Sequence, residues 1–134
     1  MDKSNEIFFK KELIGIFVDM DDFEESCFPT PDDQSLQLGL WFIKDKKVYE
    51  KHIHKQLTRT IENTSEFIYV LKGKVIIKLY SSNNIFIKSI ILEPNQAFLQ
   101  FLGGHEIIAD SNTKFFEIKQ GPYMGRDADK FMVD

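Results

Sequence analysis

Three histidines and one glutamate carry most of the chemistry this 134-residue chain has to offer. His52-Ile53-His54 lies in a stretch of extended character, and strand residues two apart share a face. Both imidazoles therefore point one way and Ile53 the other. Zinc, iron, nickel and copper all accept imidazole nitrogen. Glu66 opens the run Glu66-Phe67-Ile68-Tyr69-Val70-Leu71, where it shares a face with Ile68 and Val70. If that face is interior, the carboxylate is expensive to bury unless a metal ion, an arginine or hydrogen bonds satisfy it. His105 follows Gly103-Gly104, a pair that allows positive φ and close backbone approach and so can aim the ring. Read together, His52, His54, Glu66 and His105 predict a divalent-metal site. The bland alternatives are an exposed His-x-His strand, a solvated rim carboxylate and a surface turn histidine. Glu50 has the parity of His52 and His54 and is the reserve carboxylate.

Positioning these groups falls to strands. Leu13–Val18, Leu38–Ile43, Val48–His54, Glu66–Leu71, Lys74–Tyr80, Ile85–Leu92, Ala97–Leu102, His105–Ala109 and Lys114–Lys119 are short runs rich in β-branched and aromatic residues. Turn chemistry separates them: Thr30-Pro31-Asp32-Asp33, Asp45-Lys46-Lys47 as the tip of a hairpin, Gly73, Ser81-Ser82-Asn83-Asn84 and Glu93-Pro94-Asn95-Gln96. Turn signals every 8 to 12 residues predict an all-β sandwich or barrel in one domain, residues 1–134. No stretch keeps a 3.6-residue period, so helix is confined to short pieces near Asp32–Ser35 or Asp127–Met132.

Composition narrows the partners. A formal charge of −4 argues against nucleic acid, which wants a basic stripe. Lys44, Lys46, Lys47, Lys51 and Lys55 read as a solvated, edge-protecting set. Cys27, the lone cysteine, excludes an internal disulfide and fits a reducing compartment. No signal peptide or membrane span is expected, and the expected location is cytoplasmic. Phosphate-loop and serine-elbow spacings are both missing.

The order of these features resembles the cupin superfamily. His52-Ile53-His54 and Glu66 with six residues to Gly73 match its first motif; Pro94-Asn95-Gln96 through His105 matches its second. The resemblance spans about residues 36–120. It implies an RmlC-like jelly-roll β-barrel, with His52, His54, Glu66 and His105 holding a divalent ion such as Zn, Fe, Ni or Mn. Two departures stand out. Eleven residues, Lys55 to Ser65, separate His54 from Glu66 where the family has three or four, and Asn95 replaces a glycine. Asn is among the few residues that visit the left-handed region. Phe28-Pro29-Thr30-Pro31-Asp32-Asp33, Gln37-Leu38-Gly39, Gly103-Gly104-His105, Glu117–Tyr123 and Asp129-Lys130 are similar to small single-domain cupins of the WbuC type. Those are associated with bacterial surface-polysaccharide gene clusters, which implies a sugar or sugar-phosphate ligand.

Under that resemblance the expected function is a metal-dependent enzyme, isomerase- or epimerase-like, acting on a sugar or nucleotide sugar. The alternatives are a non-enzymatic sugar-binding module and an iron- or nickel-dependent dioxygenase. Catalytic candidates are His54, Glu66 and Arg59. Candidate substrate contacts are Gln37, Arg59, Lys119 and Tyr123, with Lys119 alternatively paired to Glu117 and Tyr123 alternatively packing the tail. Neither nucleic acid nor membrane is an expected partner. A homodimer is expected, formed by pairing of an edge strand such as Leu13–Val18 with a neighbouring subunit.

Overall fold

Alternation of apolar and polar residues becomes strand wherever a neighbour completes the hydrogen bonding. The computed structural model describes residues 5–134, and in it eight strands form. They are β1 (Glu6–Phe9), β2 (Glu12–Asp19), β3 (Glu66–Lys72), β4 (Val75–Tyr80), β5 (Phe86–Leu92), β6 (Gln96–Gln100), β7 (Gly104–Ala109) and β8 (Lys114–Lys119). A single helical turn, α1 (Arg126–Asp129), falls in the C-terminal region where helix is expected. Asp32–Ser35 is only a turn. No helix among the described residues is long and apolar enough to cross a membrane.

Every strand pairing is antiparallel. The strands build a five-stranded sheet, β1-β2-β6-β3-β8, and a three-stranded sheet, β5-β4-β7. The first core lies between the sheets. Val75, Ile77 and Leu79 of β4 alternate with less buried residues and meet Ile68, Val70 and Phe98. A second core covers the other face of the larger sheet. There Ile16, Val18, Ala97, Leu99 and Phe101 pack under Phe23, Leu36, Leu38 and Leu40. This double coverage explains why β6 is apolar at consecutive positions instead of alternating.

The sheets do not close into a barrel. Leu38–Ile43 and Val48–His54, both expected as strands, form none, and the hairpin at Asp45–Lys47 has no ladder. A strand needs a partner edge, and the backbone pairing found here is one bridge between Cys27 and Leu40. The chain leaves the core at buried Leu40 and returns at buried Ser65, and every residue from 41 to 64 is exposed. β7 and β8 are left as sheet edges. The expectation that Leu13–Val18 offers a free edge is corrected as well. β2 sits between β1 and β6, which take both of its sides.

Two turns depend on left-handed backbone. Asn95 adopts φ 66°, as asparagine chemistry allows. Gly103 has φ 81°, and a Cβ there would lie 2.2 Å from the Tyr80 carbonyl oxygen. Gly103→Ala combines a disfavoured backbone region with a clash against main chain that cannot rotate away. It should cost about 2–4 kcal/mol, read as a fall in the urea midpoint at unchanged m-value.

Candidate metal centre

Register places the polar groups of the site in one row. Glu66 on β3 lies opposite Gln100 of β6 on one side and Lys119 of β8 on the other. It shares its face with Ile68 and Val70, both in the inter-sheet core, so the carboxylate faces inward as the alternation predicts. From the facing sheet comes His105. It pairs with Leu79, and its strand neighbour Ile107 pairs with Ile77, which puts the imidazole on the core side of β7. His105 Nε2 and Glu66 Oε2 stand 3.4 Å apart, with side chains 26% and 15% exposed.

Gln100 sets the polarity of this contact. Its Nε2 donates to the carbonyls of Leu102 (3.0 Å) and Gly104 (3.3 Å), which turns its Oε1 toward His105 Nδ1 at 2.7 Å. An amide oxygen only accepts, so Nδ1 carries the proton. In the neutral ring Nε2 is then a bare lone pair, aimed at a carboxylate oxygen. Glu66 Oε2 is buried and makes no hydrogen bond among the described residues. Two acceptors facing each other at this distance repel unless a proton or a cation lies between them. A divalent ion fits that need. A histidine whose other nitrogen is held by a hydrogen-bonded neighbour is the usual arrangement of an imidazole ligand.

The opposite rim of the carboxylate meets positive charge. Lys119 Nζ lies 3.9 Å from Glu66 Oε1 and 3.0 Å from Asp129 Oδ2. The hydrogen bond to Asp129 holds the ammonium above its ordinary range against partial desolvation, and the fields of Asp129, Glu66 and Glu117 add to it. A pKa raised by folding gives stability that is complete below the ordinary value of 10.5 and fades as pH climbs through the folded value. Asp129→Asn should therefore lower the melting temperature at neutral pH, with the gap to the parent protein closing above pH 10.5. Thermal scans across pH 7 to 12 check this.

The remaining candidates distribute unevenly. Lys119 pairs with Asp129 and Glu66, not with Glu117 as the strand parity suggests. Tyr123 lies with its ring 5.6 Å from Lys119 Nζ, so it covers that lysine at the rim. Gln37 turns away from the site: its amide donates to the carbonyls of Pro31 and Gln34 and staples that turn. Arg59 and Glu50 lie on the exposed stretch 41–64. His52 and His54 do too, with ring centroids 5.1 Å apart. His52 Nδ1 lies 2.8 Å from the Glu50 carbonyl, which leaves Nε2 as its free nitrogen, as at His105.

The structure thus brings Glu66 and His105 together and holds His52 beside His54, as two separate pairs. Among the described residues no three His, Cys, Asp or Glu side chains gather around one point. Gln100 and Asp129 were not foreseen as site residues. The parity of β6 carries a signal for Gln100, since it shares the inward face of Phe98 and is polar there. Comparison with family models, with characterised proteins and with solved structures finds no match to this chain.

Proposed function

We propose that this chain is a cupin-type metalloprotein that closes as a jelly-roll around a divalent ion and acts on a sugar or nucleotide sugar. The supporting observation is the buried Glu66 carboxylate oxygen, without a hydrogen bond among the described residues, faced at 3.4 Å by Nε2 of the His105 ring that Gln100 orients. His52 and His54 complete the ligand set when the stretch 41–64 pairs with the vacant edge of β7. A divalent ion there would act as a Lewis acid toward a carbonyl or hydroxyl oxygen.

The chain's own residues do the rest. Gln100 keeps His105 in one tautomer and one orientation. Lys119, held by Asp129 and shielded by Tyr123, presents a cation at the rim where a sugar phosphate or hydroxyl would arrive. Arg59 on the stretch 41–64 supplies a guanidinium suited to a bidentate phosphate contact.

Elemental analysis of untagged protein tests the metal, and His105→Ala is the control. About one divalent ion per chain, lost in the variant, is the expected result; a metal-free parent protein, or a variant that keeps its ion, removes the reading. Turnover across a panel of nucleotide sugars, with and without chelator, tests the substrate class.

A further inference from the structure

Residues 121–134 bridge the two sheets at the end of the sandwich where Glu66 and His105 meet. Their path begins beside Lys119, the last residue of β8 in the larger sheet. Gln120 pins the root: its Oε1 accepts from the amide of buried Ser65 at 2.8 Å, and its Nε2 donates to Ser35 Oγ at 2.9 Å. Farther along, Asp129 Oδ2 accepts from Lys119 Nζ at 3.0 Å, and the Tyr123 ring covers that ammonium. On the far side the main-chain oxygen of Asp134 accepts from Asn84 Nδ2 at 3.0 Å. Asn84 lies in the turn between β4 and β5 of the smaller sheet. The segment is a strap across the mouth of the site.

Apolar packing does not hold the strap down. Tyr123, Met124, Phe131, Met132 and Val133 are all exposed, and α1 buries no residue. Near the site it is fastened by the pair of Lys119 with Asp129, whose side chains are 24% and 19% exposed, within reach of a competing anion. The charges around Lys119 narrow what that anion is. Glu66 lies opposite on β3, 3.9 Å from the ammonium, and Glu117 shares the same face of β8. Three carboxylates thus surround one cation. Glu66 and Glu117 belong to the sheet, and Asp129 alone arrives on the strap. A phosphate dianion in its place would add charge beside the two that stay, whereas another carboxylate keeps the balance as it is.

We propose that Asp129 is a built-in stand-in for a ligand carboxylate. The ligand is an acidic sugar of the uronate class, and its carboxylate takes Lys119 from Asp129 and lifts the strap. This rests on the reading of Lys119 as a sugar-ligand contact and does not depend on the metal.

Titration with glucuronate in EDTA, followed by NMR and compared with glucose and glucose 1-phosphate, tests the ligand. Glucuronate should bind most tightly of the three, and Lys119→Met should erase its advantage over glucose. Asp129→Asn should bind glucuronate about 5-fold more tightly than the parent, because a site closed about four-fifths of the time loses affinity in that proportion. Glu117→Gln removes a like charge without touching the strap and should gain less than about 2-fold. Asp129→Asn then melts lower yet binds better, a split that a purely structural pair does not give. No gain in Asp129→Asn, or an equal gain in Glu117→Gln, overturns the stand-in while the Lys119 contact stands. A preference for glucose 1-phosphate overturns the uronate class. If neither acid binds better than glucose, the Lys119 reading fails and the proposal fails with it.

A second experiment follows the strap itself. In a Cys27→Ser background, nitroxide labels are placed at Met132→Cys on the strap and Ser89→Cys on β5, both exposed positions. Pulsed dipolar spectroscopy should give a narrow distance distribution without ligand. Saturating glucuronate should broaden and lengthen it, and Asp129→Asn should do so with no ligand present. A distribution already broad in the free protein, or one that saturating glucuronate leaves unmoved, overturns the proposal.

Discussion

Glu66→Ala should weaken divalent-metal binding by at least about 100-fold, since even partners of the ligands, one shell out, typically change affinity by 10–100-fold. Competition with a chromophoric chelator measures the change. Stability should move the other way in chelator. Among the described residues Glu66 Oε2 has no hydrogen bond, and a buried acceptor left unsatisfied costs about 1–3 kcal/mol. Without metal, therefore, Glu66→Ala should melt no lower than the parent protein. With saturating metal the parent should melt higher, because a ligand that binds only the folded state stabilises it by mass action. A variant that binds metal as the parent does would show that the carboxylate is structural. Gln100→Leu offers a gentler version, with a loss of about 10–100-fold, because it frees the His105 ring without deleting a ligand.

Phe98→Ala should be the most damaging of the simple core truncations, at about 3–5 kcal/mol. Its ring is 1% exposed and sits in the inter-sheet core, with Ile68 and Phe17 as its cross-strand partners. Gly15 on β2 makes room for it: a Cβ there would come within 2.3 Å of the ring's far carbon. A glycine has no side chain to swing into the vacated space, so the cavity persists. Chemical denaturation should show a large drop in midpoint with the slope preserved. A loss under 1 kcal/mol would mean that the sheets collapse to fill the gap.

How much of this was legible in the sequence depends on whether each element carries its own partner signal. β4 and the inner part of β3 alternate cleanly, and the strands from β3 to β6 are divided by Gly73, Ser81–Asn84 and Pro94-Asn95, turn residues with specific backbone roles, so their order can be read directly. The inward direction of Glu66 followed from the same parity. β1 was missed because Lys10-Lys11 is not turn chemistry, yet both lysines take positive φ, 49° and 70°. Val48–His54 has strand composition but no strand, since composition reports the preference of a segment and not the presence of an edge to receive it. Gln37, a candidate substrate contact by sequence, is a turn staple, because its hydrogen-bond partners, three and six residues away, are set by local chain reversal. Asp129 reaches Lys119 only through the return of the C-terminal segment, which no periodicity records.

The lysine pair at the first reversal has a consequence for where the protein opens. Each non-glycine residue forced into left-handed geometry gives up about 1–2 kcal/mol, and here two do so in succession beneath a four-residue outermost strand. Packing of Ile7 must hold that ribbon against its own turn. Amide protons of β1 should thus exchange with solvent before those of the inner strands, making this corner the seam along which the fold first frays.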